Sequence, residues 1–151
     1  MIVEQISVFI ENKEGRLSAI ADILAQNGID ISALSLADTD EYGVLRMIVS
    51  DPHKAKKVLS ENGIIGKVTD VLAVAIPDCP GGFASSLKLL TDAGISVKYM
   101  YACVAHEKGK ALMVLSVDDI EKAEKIISEN ANEVSPDTIY RLKYKARLGL
   151  K

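Results

Sequence analysis

Two short loops carry the residues best suited to bind a small anion. Residues 77–83 (PDCPGGF) place two prolines and two glycines between an alternating apolar run and a helical pattern, and residues 11–17 (ENKEGRL) form a fainter copy 66 positions earlier. The first N–H groups of a helix have no partner inside it and lie at the positive end of its dipole. Glycine lets a ligand approach the backbone, and proline fixes the loop. Each loop therefore suits a carboxylate or phosphate, and a tight turn without a ligand is the alternative reading.

Other polar residues indicate neither catalysis nor a metal site. The sequence contains no GxSxG motif and no phosphate loop with lysine, and His53 and His106 lack further ligands at metal-like spacing. Cys79 lies beside the proposed anion site, where a helix terminus would raise its reactivity, but a structural or incidental thiol is the favoured interpretation. Tyr99 and Tyr101 would either line an aromatic pocket or fill the core. We expect no enzyme activity, no cofactor and no metal.

Composition and charge exclude several classes of protein. The chain has 151 residues, of which 48% are hydrophobic, and a net charge of -3. Its longest apolar runs, such as 71–76, are far shorter than the roughly 20 residues of a membrane span, and its first residues do not resemble a signal peptide. No broad basic face is available to nucleic acid. We expect a cytoplasmic protein with two free cysteines and neither membrane nor nucleic-acid partners.

An internal repeat organises the chain. A shift of 66 positions aligns Gly15 with Gly81, Gly28 with Gly94 and, in the hairpin, residue 43 with residue 109, and nine of the 41 positions from 10 to 50 match. Such self-similarity indicates a duplicated architecture. We expect two domains, residues 1–70 and 71–151, with a boundary somewhere within 64–72.

Each copy has the hydrophobic pattern of a β-α-β-β-α unit. In the first copy, alternation predicts a strand at 4–11, three-and-four spacing predicts a helix from 17 to 24, and a hairpin follows from 29 to 50. Asp51 and Pro52 then open a second helix as N-cap and first helical residue. The second copy predicts a strand at 72–77, a helix at 82–93, a hairpin at 95–117 and a helix capped by Asp118 or Asp119.

The boundary between the copies poses a strand-counting problem. Residues 67–77 form a single apolar run, yet two sheets each need a strand there. Either one long strand serves both sheets, or residues 138–147 supply an extra strand. Basic residues alternate with apolar ones from 141 to 147, which fits an edge strand, a frayed tail or a phosphate-binding strip.

The two units together resemble tandem ACT domains, which are small-molecule-sensing modules attached to many enzymes of amino-acid metabolism. The resemblance rests on a loop of the form Asn/Asp-x-Pro-Gly-x-Leu/Phe before the first helix. Residues 78–83 match it fully, whereas Glu14 stands where the first loop would have proline. The implied fold is α+β, with two ferredoxin-like βαββαβ units, antiparallel sheets and helices packed on one face.

The resemblance also implies a ligand site. In the family, the loop of one unit contacts the carboxylate of an amino acid, and the start of the second strand of a neighbouring unit contacts its ammonium group. Carried over by position, the loop residues are Asn12, Lys13, Glu14, Gly15, Arg16 and Leu17 in the first copy and Asp78, Cys79, Pro80, Gly81, Gly82 and Phe83 in the second. The strand residues are Asp30, Ile31, Ser96 and Val97.

The expected function is therefore that of a stand-alone, non-catalytic regulator that senses a free amino acid. We expect a homodimer and, as its target, a separate metabolic enzyme or regulator. The alternative is a structural dimerisation module that binds no ligand. RNA-binding proteins share the ferredoxin-like topology, but they need exposed aromatic residues on the central strands, which this acidic chain lacks except for Phe9. A small enzyme on the same scaffold has no motif to support it.

Overall fold

A computed structural model describes residues 1–38 and 41–130. The elements alternate in the predicted order, with one β-α-β-β-α series in each half of the chain. They are β1 (Ile2–Glu11), α1 (Arg16–Gln26), β2 (Ile31–Asp38), β3 (Tyr42–Val49), α2 (Pro52–Glu61), β4 (Gly66–Pro77), α3 (Gly82–Asp92), β5 (Val97–Glu107), β6 (Lys110–Val117) and α4 (Ile120–Glu129). None of the helices described is both long and apolar enough to cross a membrane.

The chain divides into two compact units. The N-terminal unit comprises Glu4–Thr69, and the C-terminal unit comprises Met1–Val3 with the described residues from Asp70 onward. Strand β4 is continuous through the division, so a single long strand serves both units, as one of the two sequence interpretations proposed. The other interpretation, an extra strand at 138–147, lies outside the described residues.

The N-terminal unit contains an antiparallel sheet covered by α1 and α2. Strand β3 pairs with β1 through Met47 and Ile6, and with β2 through Met47 and Leu34. The first residue of β4, Gly66, lies against Ile6, so the sheet order is β4, β1, β3, β2. One face of the sheet and the two helices bury a common core, formed by Ile6, Val8, Ile10, Leu45, Met47, Val49, Ile20, Leu24, Ala55, Val58 and Leu59.

The C-terminal unit has the same strand order but takes its fourth strand from the start of the chain. Strand β6 pairs with β4 through Leu115 and Leu72, and with β5 through Leu115 and Met100. On the other side of β4, Met1 and Ala73 exchange two backbone hydrogen bonds, with N···O distances of 3.0 and 2.8 Å. The unit therefore has the ferredoxin-like order Met1–Val3, β4, β6, β5.

The spacing between the two copies changes in the hairpin. Helices α1 and α3 begin 66 positions apart, at Arg16 and Gly82, whereas β3 and β6 begin 68 positions apart, at Tyr42 and Lys110. The second copy thus carries two extra residues in its hairpin. The sequence alignment of Gly43 with Gly109 is consequently wrong, since the former lies in β3 and the latter adopts φ 73° in the turn before β6.

Candidate functional site

The two strand–loop–helix turns have the same backbone structure. In each, the third and sixth loop residues donate equivalent backbone hydrogen bonds. The bonds join Lys13 N to Glu11 O (2.8 Å), Arg16 N to Lys13 O (3.2 Å), Cys79 N to Pro77 O (3.0 Å) and Gly82 N to Cys79 O (3.0 Å). Gly15 and Gly81 precede the helices with φ values of 81° and 84°, a left-handed conformation that favours glycine. Glu14 therefore replaces proline without changing the turn.

The first and second helices of each unit have different N-cap residues. Helix α2 is capped by Asp51, which accepts a hydrogen bond from Lys54 N at 2.8 Å, and α4 is capped by Asp119, which accepts from Lys122 N at 3.1 Å. The N-caps of α1 and α3 are glycines, and neither helix has a side-chain cap. Among the described helices, the first of each unit thus keeps first-turn amides that an external acceptor can use.

Most of the predicted loop residues are exposed. Residues 12–17 and 78–81 are all exposed, as is Phe83, whereas Gly82 is buried. Leu17 and Phe83 expose 41% and 44% of their surface directly beside the open helix ends. A small solute therefore has access to both loops and would meet apolar as well as polar groups there.

The predicted strand residues form a second pair of equivalent positions. The N–H groups of Asp30 and Ser96 each donate a hydrogen bond to a side chain. In both cases the acceptor belongs to the residue that follows the last strand of the hairpin. The contacts are Asp30 N to Ser50 Oγ (3.1 Å) and Ser96 N to Asp118 Oδ1 (3.0 Å), and the backbone returns a bond from Ser50 N to Asp30 O (2.9 Å) and from Asp118 N to Ser96 O (3.2 Å). Ile31 and Val97 are half-buried. These bonds fix the strand starts.

Within one unit the loop and the strand start lie apart. They are joined by a helix of 11 residues, α1 or α3, which spans about 16 Å at 1.5 Å per residue. One small ligand cannot contact both ends of such a helix. A site made of a loop and a strand start therefore requires two different units, as the family resemblance implies.

The first loop concentrates charge around Glu11. Its Oε2 lies 2.9 Å from Lys13 Nζ and 3.3 Å from Arg16 Nη2. The hydrogen bond and charge of Lys13, followed by those of Arg16, hold the pKa of the Glu11 carboxyl below its usual value. This residue was not among the predicted site residues, although the spacing of one acid and two bases, E-x-K-x-x-R, was visible in the sequence.

The two cysteines are free, as predicted, and differ in their surroundings. Cys79 is exposed in the second loop, and Cys103 is half-buried in β5. Burial raises the pKa of the Cys103 thiol to about 11. Tyr101 is buried at 8% exposure, which favours a core role for that side chain. Among the residues described, no three His, Cys, Asp or Glu side chains come together to hold a metal.

Comparison with known proteins identifies the family. The sequence model of the ACT domain pair matches residues 1–141. The chain belongs to this family. The match confirms the resemblance read from the loop motif and the predicted regulatory character. It also confirms the α+β fold of two ferredoxin-like units.

Several relatives support this assignment to different degrees. The acetolactate synthase isozyme 3 small subunit of Escherichia coli K12 is 31% identical over 70 residues, which cover 46% of this chain and 43% of that protein. The chain thus spans less than half of that relative. A crystal structure from Bacteroides thetaiotaomicron is similar with a TM-score of 0.84 and 34% identity, over 93% of this chain and 97% of the other.

A more distant structure shares the fold alone. The regulatory subunit of aspartate kinase from Thermus thermophilus, in its ligand-free form, has a TM-score of 0.63 at 15% identity. The similarity covers 85% of this chain and 96% of that one. At such low identity it supports the tandem arrangement of ferredoxin-like units and nothing finer.

Proposed function

We propose that this protein is a non-catalytic regulator that binds a free amino acid at its strand–loop–helix turns. The observation that carries the proposal is the contrast between the helix caps. Helices α2 and α4 each have an aspartate on their first-turn amides, whereas α1 and α3 begin at left-handed glycines with no side-chain cap. The uncapped ends are the ones that family resemblance assigns to the ligand carboxylate.

The chemistry of each group suits an amino acid. First-turn amides and the positive end of the helix dipole stabilise a carboxylate, and Gly15 and Gly81 leave open space above the backbone, since a Cβ at either position would meet no atom within 4 Å. Asp30 supplies a carboxylate for the ammonium group at a strand start. A loop alone would bind any small carboxylate, so the strand start would provide the selectivity for an amino acid.

The same arrangement would make binding regulatory. Because a loop and a strand start of one unit lie at opposite ends of an 11-residue helix, a ligand that uses both must join two units. Binding then favours the arrangement in which those units meet, and the affinity difference between arrangements sets the size of the response. We propose a homodimer as the responding assembly.

The names of the relatives suggest a class of partner. One relative is the small subunit of acetolactate synthase. By analogy we propose that this chain acts on a separate catalytic protein of amino-acid metabolism. Co-purification with such a protein, dependent on the amino acid, would test this part of the proposal.

Thermal unfolding with each of the twenty amino acids at millimolar concentration tests the proposed ligand. A ligand at 100 times its Kd adds about 2.7 kcal/mol of stability, which corresponds to a rise in Tm of roughly 5–10 °C for a chain of this size. Gly81→Asp should abolish or weaken the effect at the second loop, because a carboxylate beside the amides repels that of the ligand. Gly81→Asn is the matched control, since it adds a side chain of the same size without charge. No shift with any amino acid would refute the proposal.

A structural dimerisation module is the second candidate. The observation that favours it is the exposure of Leu34 and Leu36 on β2, at 46% and 43%. Apolar side chains so exposed suit a protein partner whether or not a ligand is bound. Sedimentation velocity would support this candidate if a dimer formed equally with and without amino acids, and if Leu34→Asn dissociated it.

A further inference from the structure

The N-terminal unit contains a cleft beside the first loop. Its volume is about 250 Å³, and it lies where the end of β1, the first turns of α1 and the residues before β4 meet. The lining residues are Phe9, Ile10, Glu11, Arg16, Ala19, Ile20, Gly63, Ile64 and Ile65. Apolar side chains therefore form most of the wall, and one acid and one base complete it.

The acid and the base retain bonding capacity. Lys13 and Arg16 both contact Oε2 of Glu11, at 2.9 and 3.3 Å, and within the described part of the chain Oε1 accepts no hydrogen bond. Arg16 uses one nitrogen, Nη2, in this contact, although a guanidinium has five N–H donors. Glu11, with one carboxylate oxygen unused, and Arg16, with further guanidinium donors, are thus both lining residues of the cleft. Such a pair complements a zwitterion, with the ammonium group against Glu11 and the carboxylate against Arg16.

The apolar wall is exposed to solvent. Ile65 and Phe9 expose 79% and 68% of their surface, while Ile64 packs against the core of the unit. An aliphatic group placed against these side chains would remove apolar surface from water, which favours binding. At about 250 Å³, the cleft is slightly smaller than drug-sized pockets, which begin at about 300 Å³.

The C-terminal unit provides an internal comparison. By the shared hydrogen bonds of the two turns, Pro77 and Gly82 occupy the positions of Glu11 and Arg16. Ser85 and Ser86 stand where α1 has Ala19 and Ile20, and both hydroxyls donate to the carbonyl oxygen of Gly82, at 2.9 and 3.0 Å. The second turn therefore lacks the charged pair. Any ligand that depends on this pair would bind in the N-terminal unit.

We propose that this cleft binds an amino acid with an aliphatic side chain through its zwitterionic head. Glu11 receives the ammonium group, Arg16 donates to the carboxylate, and Ile64, Ile65 and Phe9 surround the side chain. The inference rests on the proposed function for the class of ligand, and it adds a cleft beside the first loop and the type of side chain that this cleft would accept. It also makes the two turns unequal, because Pro77 and Gly82 stand in the second where the first has Glu11 and Arg16.

Calorimetric titration of the whole protein with L-leucine tests the assignment, together with two analogues that each lack one charge. These analogues are 4-methylpentanoate, without the ammonium group, and 3-methylbutylamine, without the carboxylate. Glu11→Gln and Arg16→Gln should each weaken leucine binding by at least about tenfold, since each removes a charge-assisted hydrogen bond. Each analogue should bind the native protein at least about tenfold more weakly than leucine. Ile65→Asn, at an exposed position, should also weaken leucine and should spare glycine.

Matched variants control for net charge and folding. Asp22→Asn and Lys56→Gln change the charge of the same unit by the same amounts at exposed positions outside the cleft, and they should leave the affinity for leucine within about twofold. Unchanged leucine binding in both Glu11→Gln and Arg16→Gln would overturn the cleft assignment. So would binding of 4-methylpentanoate and 3-methylbutylamine with the same affinity as leucine. If binding were instead lost in Gly81→Asp alone, the loop site would stand and the cleft would fail. Absence of binding by leucine and by every other amino acid would refute both proposals.

Discussion

The α-carbon of Gly82 lies so close to the carbonyl oxygen of Pro77 that a Cβ at residue 82 would overlap that oxygen. The same oxygen accepts a hydrogen bond from Cys79 N at 3.0 Å, which closes the second turn tightly. Arg16 carries a full side chain at the equivalent position of the first turn. The two loops thus share their hydrogen bonds but differ in the space left beside the helix start.

Gly82→Ala should destabilise the protein for this reason. The added methyl group must displace backbone, which costs about 1–3 kcal/mol in a well-packed region. Urea unfolding of the variant measures the change in the free energy of unfolding. Gly81→Asn serves as the control, because a Cβ at residue 81 meets open space and asparagine tolerates a φ of 84° better than most residues. Native-like stability of Gly82→Ala would show that the turn can widen at little cost.

Removal of the aspartate caps should weaken both second helices. Asp51→Ala and Asp119→Ala each leave a first-turn amide, that of Lys54 or Lys122, without its acceptor. The expected loss is about 1 kcal/mol in each case. Asn at either position keeps an acceptor oxygen and should retain most of the stability. Chemical denaturation is the measurement, and equal stability of the alanine and native proteins would contradict the assigned caps.

A lysine on each second helix stabilises the end of the first helix in the same unit. Lys54 Nζ donates to Asn27 O at 2.6 Å, and Lys122 Nζ donates to Ala93 O at 2.7 Å. Replacement by methionine removes a cation from a helix C-terminus, so Lys54→Met and Lys122→Met should each cost about 0.3–1 kcal/mol at low salt. The loss should shrink in 1 M salt. Lys56→Met, on the same helix as Lys54, should change stability less, and a larger effect at residue 56 would count against this interpretation.

The two thiols should react at very different rates in the native protein. Burial raises the pKa of Cys103 to about 11, so at pH 8 roughly one molecule in a thousand carries its thiolate. Iodoacetamide at pH 8 should therefore label exposed Cys79 first, and the rate at Cys103 should rise about tenfold for each unit of pH up to 10. Peptide mass spectrometry after timed labelling resolves the two sites. Labelling of Cys103 at pH 8 as fast as in urea would show that it is not protected.

The fold was predictable wherever its signals are local. Asp51 followed by Pro52 indicates a capped helix, and Gly15 and Gly81 mark turns, because each of these residues acts on its immediate backbone. The pairing of Met1 with Ala73 was not predictable, since 72 positions separate the partners and no turn chemistry links them. The domain boundary drawn at residue 70 consequently assigned Met1–Val3 to the first domain, whereas their contacts belong to the C-terminal unit.

The candidate site was predictable in composition but only partly in geometry. The loop residues follow from a motif, and the structure gives both loops one backbone conformation. The missed feature was the cleft beside Glu11, because its wall combines Ile20 from α1 with Ile64 and Ile65 from a segment more than 40 positions away. Hydrophobic periodicity identifies such residues as apolar but does not bring them together.

Strand β4 has a consequence for any attempt to separate the two copies. A cut between Thr69 and Asp70 follows the repeat in the sequence, yet the second fragment would lack Met1–Val3 and the backbone bonds that Ala73 forms with Met1. Genetic recombination at that midpoint would therefore transfer an incomplete sheet. The C-terminal half now depends on the first residues of the chain, so the two copies must be inherited together.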